Sequence, residues 1–394
     1  MINWKRYIPE GTRDILFQEC SEKIELENIL RKVYIDSGFL EVISPTLEFY
    51  DVFNGENATL PQEKMYKLFD NQGRILVLRA DMTTPIARIA ATKLRDVAHP
   101  LKLCYTSNVY RLNESLNGKN SEFTQSGIEI IGVKGIKADA EVIITGISAL
   151  LDCGLKDFKV ELGQAEFFKA IIEEINLIDE EKEKLRRYIE DKNFTALSEL
   201  LQDKEDKIDE KNLYILKELP KLFGDIKILD RAAELTDNTK ALQALESIRK
   251  VYNIIESIGL SEYLSIDLGM VQNLNYYTGI IFRGYAHGVG GSILSGGRYD
   301  NLVSQFGEEQ PATGLAIDVD SIMAALQNCE PRTVEEREKV LICYKEEAFK
   351  EAYNKAVEFR KNNIVAELSL MDSEEEAIEY AKKKGIEKVI KIDN

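Results

Sequence analysis

The chain has 394 residues, a length that at roughly 150 residues per domain predicts two or three domains. Hydrophobic residues make up 44% and charged residues 30% of the chain, which is typical of a globular protein and excludes a disordered tail or a collagen. No run of about 18 apolar residues is present, so a membrane-spanning helix is not expected. The first residues contain neither an apolar stretch nor a cleavage site for secretion, and we therefore expect a cytoplasmic protein.

The residue types that carry metal and covalent chemistry are scarce. The five cysteines are odd in number and widely spaced, which argues against a disulfide framework or a CxxC site. Only two histidines, His99 and His287, are present, so neither a zinc site nor a Ser-His-Asp triad is expected. The net charge of −17 argues against broad binding to nucleic acid, because such proteins usually carry a basic surface. We therefore expect no metal, no cofactor and no nucleic-acid partner.

The N-terminal part of the chain is predicted to mix helices and strands. The segment from Ser21 to Gly38 has apolar residues at helical spacing, so we expect an amphipathic helix that Ser21 caps and Gly38 ends. A strand and Pro45 follow. Between about residues 75 and 133, short apolar runs alternate with turn signals, which predicts antiparallel strands and one helix. The predicted fold class is α+β.

Three further regions follow along the chain. Residues 164–262 are rich in Glu and Lys and have helical periodicity, which predicts a helical insertion. Strand patterns return in residues 263–328, and we expect them to join residues 1–163 in one antiparallel sheet. Residues 338–394 alternate strands and helices, which predicts a small C-terminal α/β unit of βαβαβ type with a parallel sheet.

Polar residues follow the strand predicted at residues 75–78, where the chain turns into the next helix. We expect Thr84 to cap this helix, with Pro85 at its first position. Asp81 then lies near the helix N-terminus, where a carboxylate is electrostatically favoured and can receive an ammonium group, with the Thr83 hydroxyl as a second acceptor. The spacing alone leaves open that Asp81 is only a capping or turn residue.

The strand predicted from EFTQSGIEIIG carries two polar side chains on one face. Alternation places Gln125, Gly127 and Glu129 on the same face, with the two polar groups roughly 13 Å apart. Gly127 has no side chain, so a gap the size of an amino acid remains between them. A carboxylate among isoleucines needs a partner, which is either a ligand or a protein arginine, and the strand alone does not decide between them.

Two tyrosines and a glycine-rich turn lie in the later strand region. In a strand, Tyr276 and Tyr277 would point to opposite faces, so that one phenol lines the cavity of Glu129 and the other packs. Adjacent tyrosines are also simply good strand formers. Arg298 follows two glycines and could meet an anion, which is a weak signal by itself.

Taken in order, these segments resemble the histidyl-tRNA synthetase branch of the class II aminoacyl-tRNA synthetases over nearly the whole chain. The matching segments are PEGTRD, SGFLEVISPTLE, RADMTTPIAR, NVYRLNESLNGKNSEFTQSGIEIIG, LNYYTGIIF, SGGRYDNL and PATGLAIDVDSIMAAL. The resemblance implies a class II synthetase-like antiparallel sheet with flanking helices. It also implies that the C-terminal unit is a truncated anticodon-binding domain.

The chain departs from that family where active members bind ATP. Gln272 stands in place of an arginine that stabilises charge as histidine attacks the α-phosphate, and Asn275 replaces the acidic residue of the same block. Ser321, after Asp320, stands where the family has an arginine that clamps phosphates. Motif 2 keeps Arg111, but the family's Arg-x-Glu ends here in Asn113, and its later Gly-Arg-x-Arg reads Gly118, Lys119, Asn120, Ser121. Because phosphoryl chemistry needs fixed positive charge where negative charge develops, we expect adenylation to be crippled.

In contrast to the ATP-binding positions, the residues that the resemblance assigns to the amino-acid pocket are mostly retained. Asp81 stands where the family has the glutamate that meets the α-ammonium, and its neighbours in the pocket match. Glu129 and Tyr277 match the pair that holds the imidazole. The resemblance therefore implies a histidine-binding set that comprises Asp81, Thr83, Gln125, Glu129, Tyr276 and Tyr277. Arg111 and Arg298 are expected to support the loops around this pocket and not to be catalytic.

A chain that keeps the histidine pocket and loses the ATP clamp resembles the regulatory subunits of ATP phosphoribosyltransferase. In that family the catalytic partner condenses ATP with phosphoribosyl pyrophosphate at the first step of histidine biosynthesis, and this chain would do no chemistry. The resemblance implies a short-form catalytic subunit as partner in a hetero-octamer, and a homodimer through the motif 1 region. It also implies L-histidine as the inhibitory effector.

Two other functions stay open at this point. A divergent histidyl-tRNA synthetase is the main alternative, but it would need arginine at positions 272 and 321, and neither is present. Histidine-dependent exchange of pyrophosphate into ATP would restore that hypothesis. Another synthetase-like paralogue is also open, because the short Asp81 carboxylate can hold an ammonium through water or leave room for a different ligand.

Overall fold

The structure is a computed structural model that describes residues 4–55, 60–112, 120–271, 276–328 and 337–393. The chain forms two compact units, residues 1–330 and residues 331–394. The strands of the first unit are β1 (Leu40–Glu41), β2 (Leu47–Phe49), β3 (Lys67–Phe69), β4 (Ile75–Leu78), β5 (Leu101–Tyr110), β6 (Glu122–Ile131), β7 (Phe158–Gln164), β8 (Phe223–Gly224), β9 (Leu264–Asp267), β10 (Ile280–Ala286), β11 (Leu294–Arg298) and β12 (Ala312–Asp318).

A nine-stranded sheet is the centre of the first unit. Its spatial order is β1-β5-β6-β12-β11-β10-β7-β9-β8, and a second sheet has the order β2-β4-β3. Within the large sheet the pairs β1–β5 and β7–β9 are parallel, whereas the other pairs are antiparallel. Two stretches of chain, before residue 165 and after residue 263, therefore supply eight of the nine strands, and β8 from the segment between them supplies the ninth.

Helices cover one face of this large sheet. The helices of the first unit are α1 (Phe17–Asp36), α2 (Tyr50–Phe53), α3 (Thr83–Thr92), α4 (Ile136–Asp152), α5 (Ala165–Ile172), α6 (Asp179–Glu190), α7 (Phe194–Asp203), α8 (Glu210–Glu218), α9 (Ile228–Glu234), α10 (Thr239–Glu256) and α11 (Val319–Gln327). Ile128, Phe282 and Leu315 of the sheet share one buried core with α1, α4, α10 and α11. Because side chains alternate along a strand, the residues between them point to the other face of the sheet.

The first long helix begins earlier than predicted. Helix α1 starts at Phe17, and Ser21 lies inside it with its hydroxyl donating to the Phe17 carbonyl at 3.2 Å. The prediction that Ser21 caps this helix was therefore wrong, because the turn that precedes it is already helical. The predicted end near Gly38 holds, since the helix ends at Asp36 and Gly38 has a φ of +83° that favours glycine.

The segment between β7 and β9 is helical and packs on the sheet. It contains α5 to α10 and, between α8 and α9, the two-residue strand β8. Phe167 of α5, Leu216 of α8 and Ile248 of α10 belong to the same core as the sheet residue Ile266. This shared core places the helical segment in the first compact unit. The domain boundaries proposed from the sequence stay a prediction.

The second unit is a small parallel sheet between two helices. It contains β13 (Lys339–Tyr344), α12 (Phe349–Lys361), β14 (Val365–Leu368), α13 (Glu374–Lys384) and β15 (Lys388–Ile392), with the strand order β14-β13-β15. Val340 and Ile342 pack with Ala352 of α12, whereas Leu341 packs with Ala377 of α13. Alternate side chains of β13 thus pack against α12 on one face of the sheet and against α13 on the other. Among all described residues, no helix has the length and apolar character needed to cross a lipid bilayer.

Candidate functional site

A cavity of about 530 Å³ opens on the face of the large sheet that α4 does not cover. Its floor consists of small residues of β11 and β12, among them Ser295 and Ala316, which pair with each other in the sheet register. In the next row Glu129 of β6 lies beside Gly314. Because the floor residues have short side chains or none, the cavity extends from β6 to β10. The prediction of a gap over Gly127 was wrong, because the ring of Tyr105 on the neighbouring strand β5 fills that space.

Two glycines of the floor allow polar and aromatic side chains to approach closely. A Cβ atom at position 314 would overlap the Glu129 carboxylate, and one at position 297 would lie within 3 Å of the Tyr277 ring. Gly297 also has a φ of +158°, which residues with a side chain rarely adopt. Glycine at these positions therefore makes room for Glu129 and Tyr277.

Asp81 lies at the N-terminus of α3 and lines the cavity. The helix begins at Thr83, not at Pro85, and Asp81 Oδ1 accepts a hydrogen bond of 2.8 Å from the backbone N–H of Thr84. The prediction that Thr84 caps the helix was wrong, because Asp81 performs this task. The two roles considered for Asp81 are thus combined in one buried carboxylate, which caps the helix and borders the cavity.

Gln125 and Glu129 lie on the same face of β6, as the strand alternation predicted, and both line the cavity with Thr83. Gln125 is only 8% exposed, and its Oε1 atom has no hydrogen-bond partner among the described residues. A buried acceptor without a donor is costly, so this atom is suited to a donor that a ligand brings.

Glu129 is buried, and among the described residues its carboxyl group is bound by a tyrosine and not by an arginine. The hydroxyl of Tyr299 donates a hydrogen bond to Glu129 Oε2. Burial raises the pKa of Glu129 to about 8, although hydrogen bonds from Tyr299 and Thr83 oppose the shift and the nearby Asp81 charge adds to it. Glu129 therefore holds a proton at neutral pH.

Three tyrosine rings form a wall beside Glu129. Tyr276 and Tyr277 precede β10 instead of lying in it, and both line the cavity together with Tyr299. The prediction that they point to opposite faces was wrong, because strand alternation does not apply in this turn. The Tyr276 ring stacks on that of Tyr299 at 5.7 Å and meets that of Tyr277 edge-on at 4.6 Å.

The two arginines expected to support the pocket lie in different places. Arg111 lines the cavity, donates from Nε to the Ala80 carbonyl at 2.8 Å and lies over the Phe123 ring. Burial lowers the pKa of Arg111, while the nearby Asp81 and Asp318 raise it.

Arg298 is not among the residues that line the cavity. Its guanidinium pairs with Asp139 at 2.9 Å and with Asp300 at 3.1 Å, so the anion it meets belongs to the protein. Its carbonyl accepts a hydrogen bond of 2.8 Å from the N–H of Thr278, next to Tyr277. Arg298 thus contacts the pocket loop through its backbone.

Three cavity residues received no role from the sequence. Tyr299 was part of a quoted segment, but no spacing rule relates it to Glu129, which lies 170 residues earlier. Arg283 and Tyr285 lie on β10 and line the far side of the cavity. Arg283 and Tyr285 are two residues apart in a predicted strand, so strand alternation alone would have placed both side chains on the same face.

The positions that differ from active synthetases are only partly visible. Gln272, Asn275, Asn113, Gly118 and Lys119 lie outside the described residues. The Asp320 carboxylate accepts hydrogen bonds of 2.9 Å from both Lys23 of α1 and the backbone N–H of Thr124, and Ser321 donates its N–H to the capping residue Asp318. Asp320 and Ser321 therefore hold α11 against its neighbours.

Comparison with known proteins shows the relatives of this chain. Residues 11–322 match the family model described as histidyl-tRNA synthetase. The chain is 64% identical to the ATP phosphoribosyltransferase regulatory subunit of Clostridium kluyveri over 392 residues, which cover 100% of both chains. It is 54% identical to the subunit of the same name from Clostridium acetobutylicum, over 100% of this chain and 97% of the relative.

Solved structures show the same similarity. A Bacillus halodurans protein described as an ATP phosphoribosyltransferase regulatory subunit/histidyl-tRNA synthetase superimposes with a TM-score of 0.89 at 32% identity, over 100% of both chains. The histidyl-tRNA synthetase of Nostoc sp. PCC 7120 has a TM-score of 0.80 at 21% identity, over 100% of this chain and 92% of the other, and shows the fold alone. These similarities confirm the fold predicted from the sequence.

Proposed function

Because the chain belongs to the family of ATP phosphoribosyltransferase regulatory subunits, we propose that its cavity binds L-histidine and that binding inhibits a short-form catalytic subunit. The observation that carries this proposal is the buried, unpaired Oε1 of Gln125 at the cavity wall that also holds the Asp81 carboxylate. These acceptors match the three N–H donors of an ammonium group, with the Thr83 hydroxyl as the third.

The other end of the cavity suits an imidazole ring. Glu129 carries a proton at neutral pH because burial raises its pKa to about 8, and it can donate that proton to the acceptor nitrogen of a neutral imidazole. The phenol of Tyr277 lies at the same end, and the tyrosine rings offer flat apolar surfaces to the ligand. A side chain without a nitrogen acceptor would leave the Glu129 proton unpaired, which favours histidine over purely apolar amino acids.

Feedback regulation requires that histidine bind two states of the complex with different affinity. A typical coupling free energy of about 1–3 kcal/mol would suffice for a five- to 150-fold change in affinity. The cavity lies between β6, α3 and the segment that precedes β10, so a ligand that contacts all three changes their relative stability. This is the change that the catalytic partner would sense.

Self-association is the second part of the proposal. Exposed apolar side chains lie along the motif 1 region (residues 37–48) and the adjoining small sheet, and we call this surface the motif 1 face: Leu40, Ile43, Leu47, Phe49, Leu68, Phe69 and Ile75. Apolar surface of this extent is typical of an interface. A second copy of the chain is its proposed occupant, and such dimers would join catalytic subunits in a hetero-octamer.

Calorimetric titration with L-histidine tests the binding site directly. Gln125→Leu removes the unpaired acceptor, and we expect it to weaken histidine binding at least tenfold. Gln164→Leu is a matched control, because Gln164 is 7% exposed and caps α5 without lining the cavity, so its loss should leave histidine affinity unchanged. Equal losses in both variants, or no saturable binding to the wild type, would contradict the proposed site.

A further inference from the structure

The carboxylate of a bound amino acid also needs a partner in the cavity. Among the described residues that line it, the cations are Arg111 and Arg283. A zwitterion whose ammonium meets Asp81 and Gln125 leaves its carboxylate for one of these two guanidinium groups.

The sheet register places Arg283 opposite the amino-acid end of the cavity. Arg283 pairs with Ser295, Ser295 with Ala316, and Ala316 with Gly127, so one row of residues crosses four strands. Three strand spacings correspond to roughly 14 Å between the backbones of β10 and β6. The small side chains of Ser295 and Ala316 leave the middle of this row open, whereas the Tyr105 ring covers Gly127. The long side chain of Arg283 can therefore reach across β11 and β12 towards an amino-acid ligand.

The surroundings of Arg111 are less favourable for an additional anion. Its guanidinium already lies near Asp81 and Asp318, and its Nε donates to the Ala80 carbonyl. A carboxylate placed beside Arg111 would therefore also face the negative charge of Asp81.

One partner of Arg283, Glu190, belongs to the helical segment. Arg283 Nη2 donates to Glu190 Oε1 at the end of α6 at 2.8 Å, and Arg186 of the same helix donates to Glu190 Oε2 at 2.5 Å. Glu190 would thus keep one arginine if Arg283 turned towards a ligand. If Arg283 turns from Glu190 to the ligand, the Glu190 carboxylate therefore stays paired with Arg186.

We propose that Arg283 binds the α-carboxylate of the histidine and that Glu190 competes with the ligand for this guanidinium. The inference rests on the proposed function and adds the carboxylate contact to it. It also makes α6 responsive to the ligand, because occupation of the cavity draws Arg283 from Glu190. Two further contacts join the same region: Arg186 donates to the Val271 carbonyl at 3.0 Å, and Lys169 of α5 donates to that of Tyr277 at 3.4 Å.

The test compares L-histidine with L-histidinol, in which a hydroxymethyl group replaces the carboxylate. Calorimetry on the full-length wild type should give at least tenfold tighter binding of histidine. Arg283→Gln should reduce that ratio to near one and leave the affinity for histidinol unchanged. Thermal unfolding of each variant shows that it is folded.

A second pair of variants keeps Arg283 in place. Glu190→Gln removes the competing charge and should tighten histidine binding several-fold without changing histidinol binding. Glu183→Gln is the matched control, because Glu183 also pairs with Arg186 on α6 but makes no ion pair with Arg283. We expect the control to bind both ligands as the wild type does.

The outcomes separate this inference from the proposed function. If Arg283→Gln keeps the full preference for histidine, or if Arg111→Gln alone abolishes it, Arg283 is not the carboxylate partner, while histidine binding itself stands. An equal effect of Glu190→Gln and Glu183→Gln would contradict the competition. A wild type that binds neither ligand would overturn the proposed function, and the assignment of Arg283 with it.

Discussion

The Tyr299 hydroxyl donates a hydrogen bond to the carboxyl group of Glu129, which lies 170 residues earlier in the chain. The two side chains belong to neighbouring parts of one sheet, because β12 pairs with β6 on one side and with β11 on the other. Glu129 is 1% exposed, so its carboxyl group depends on partners inside the protein instead of water. The imidazole end of the cavity therefore depends on a long-range pair.

The buried Glu129 should make stability depend on pH. Burial raises its pKa in the folded state to about 8 from an ordinary value of 4.5, so its stabilising contribution is full below pH 4.5 and is lost as the pH rises through 8. Between these values the wild type should lose about 1.4 kcal/mol of unfolding free energy per pH unit relative to Glu129→Gln. Urea unfolding of both proteins from pH 5 to pH 8 measures this difference.

A second variant examines the role of Tyr299 in the same effect. Tyr299→Phe removes a hydrogen bond that lowers the pKa of Glu129, so the loss of stability should continue above pH 8, and urea unfolding of this variant at pH values above 8 measures it. A difference between wild type and Glu129→Gln that stays constant from pH 5 to pH 8 would show that Glu129 is not held protonated in the folded protein.

The two roles of Asp81 can be separated by one substitution. In Asp81→Asn the amide oxygen can still accept the hydrogen bond from Thr84 N–H, because asparagine is a good N-cap. The negative charge that would meet an ammonium is lost, and we expect histidine binding to weaken about 10- to 100-fold while the thermal midpoint changes little. Calorimetry together with thermal unfolding makes the comparison. Loss of stability with unchanged affinity would mean that Asp81 is only a cap.

Gly314 should tolerate no side chain. A Cβ atom there would overlap the Glu129 carboxylate and approach the Ile128 carbonyl, so Gly314→Ala should destabilise the protein by about 1–3 kcal/mol and abolish histidine binding. Gly290→Ala is the control, because no atom lies within 4 Å of the added methyl group, and it should change stability by less than about 0.5 kcal/mol. Urea unfolding gives both values, and equal stability of the two variants would contradict the geometry of the floor.

A charge on the motif 1 face should prevent self-association. Ile43 is 85% exposed in the single chain, and Ile43→Glu would place a carboxylate in the proposed dimer interface. Sedimentation velocity should give a dimer for the wild type and a monomer for this variant. Leu370→Glu in the second unit is a matched control, since Leu370 is 86% exposed, and it should remain dimeric. A dimeric Ile43→Glu protein would place the interface elsewhere.

Local patterns in the sequence were sufficient to predict part of this site. The alternation along β6 placed Gln125 and Glu129 on one face, and the position of Asp81 after β4 placed it at a helix N-terminus. Both predictions depend on neighbours within a few residues, where the backbone period decides the direction of a side chain. The same rule was wrong for Tyr276 and Tyr277, because they lie in a turn before β10 begins.

The features of the site that the sequence did not predict depend on contacts between distant segments of the chain. The bond of Tyr299 to Glu129 and the ion pair of Arg283 with Glu190 follow from sheet order and from the packing of α6, neither of which has a local signal. The start of α1 at Phe17 was also missed, because Leu16 precedes it without a side-chain cap. Resemblance to the synthetases supplied the sheet architecture, but not these pairs.

The most direct test of the account is the ATP phosphoribosyltransferase activity of the matching short catalytic subunit, measured with and without this protein across a histidine titration. We predict that activity rises on mixing, that histidine then inhibits it, and that Gln125→Leu removes the inhibition while Gln164→Leu keeps it. Two folded proteins whose activity does not change on mixing, or inhibition by histidine that Gln125→Leu leaves intact, would contradict the central claim that this cavity is the histidine sensor.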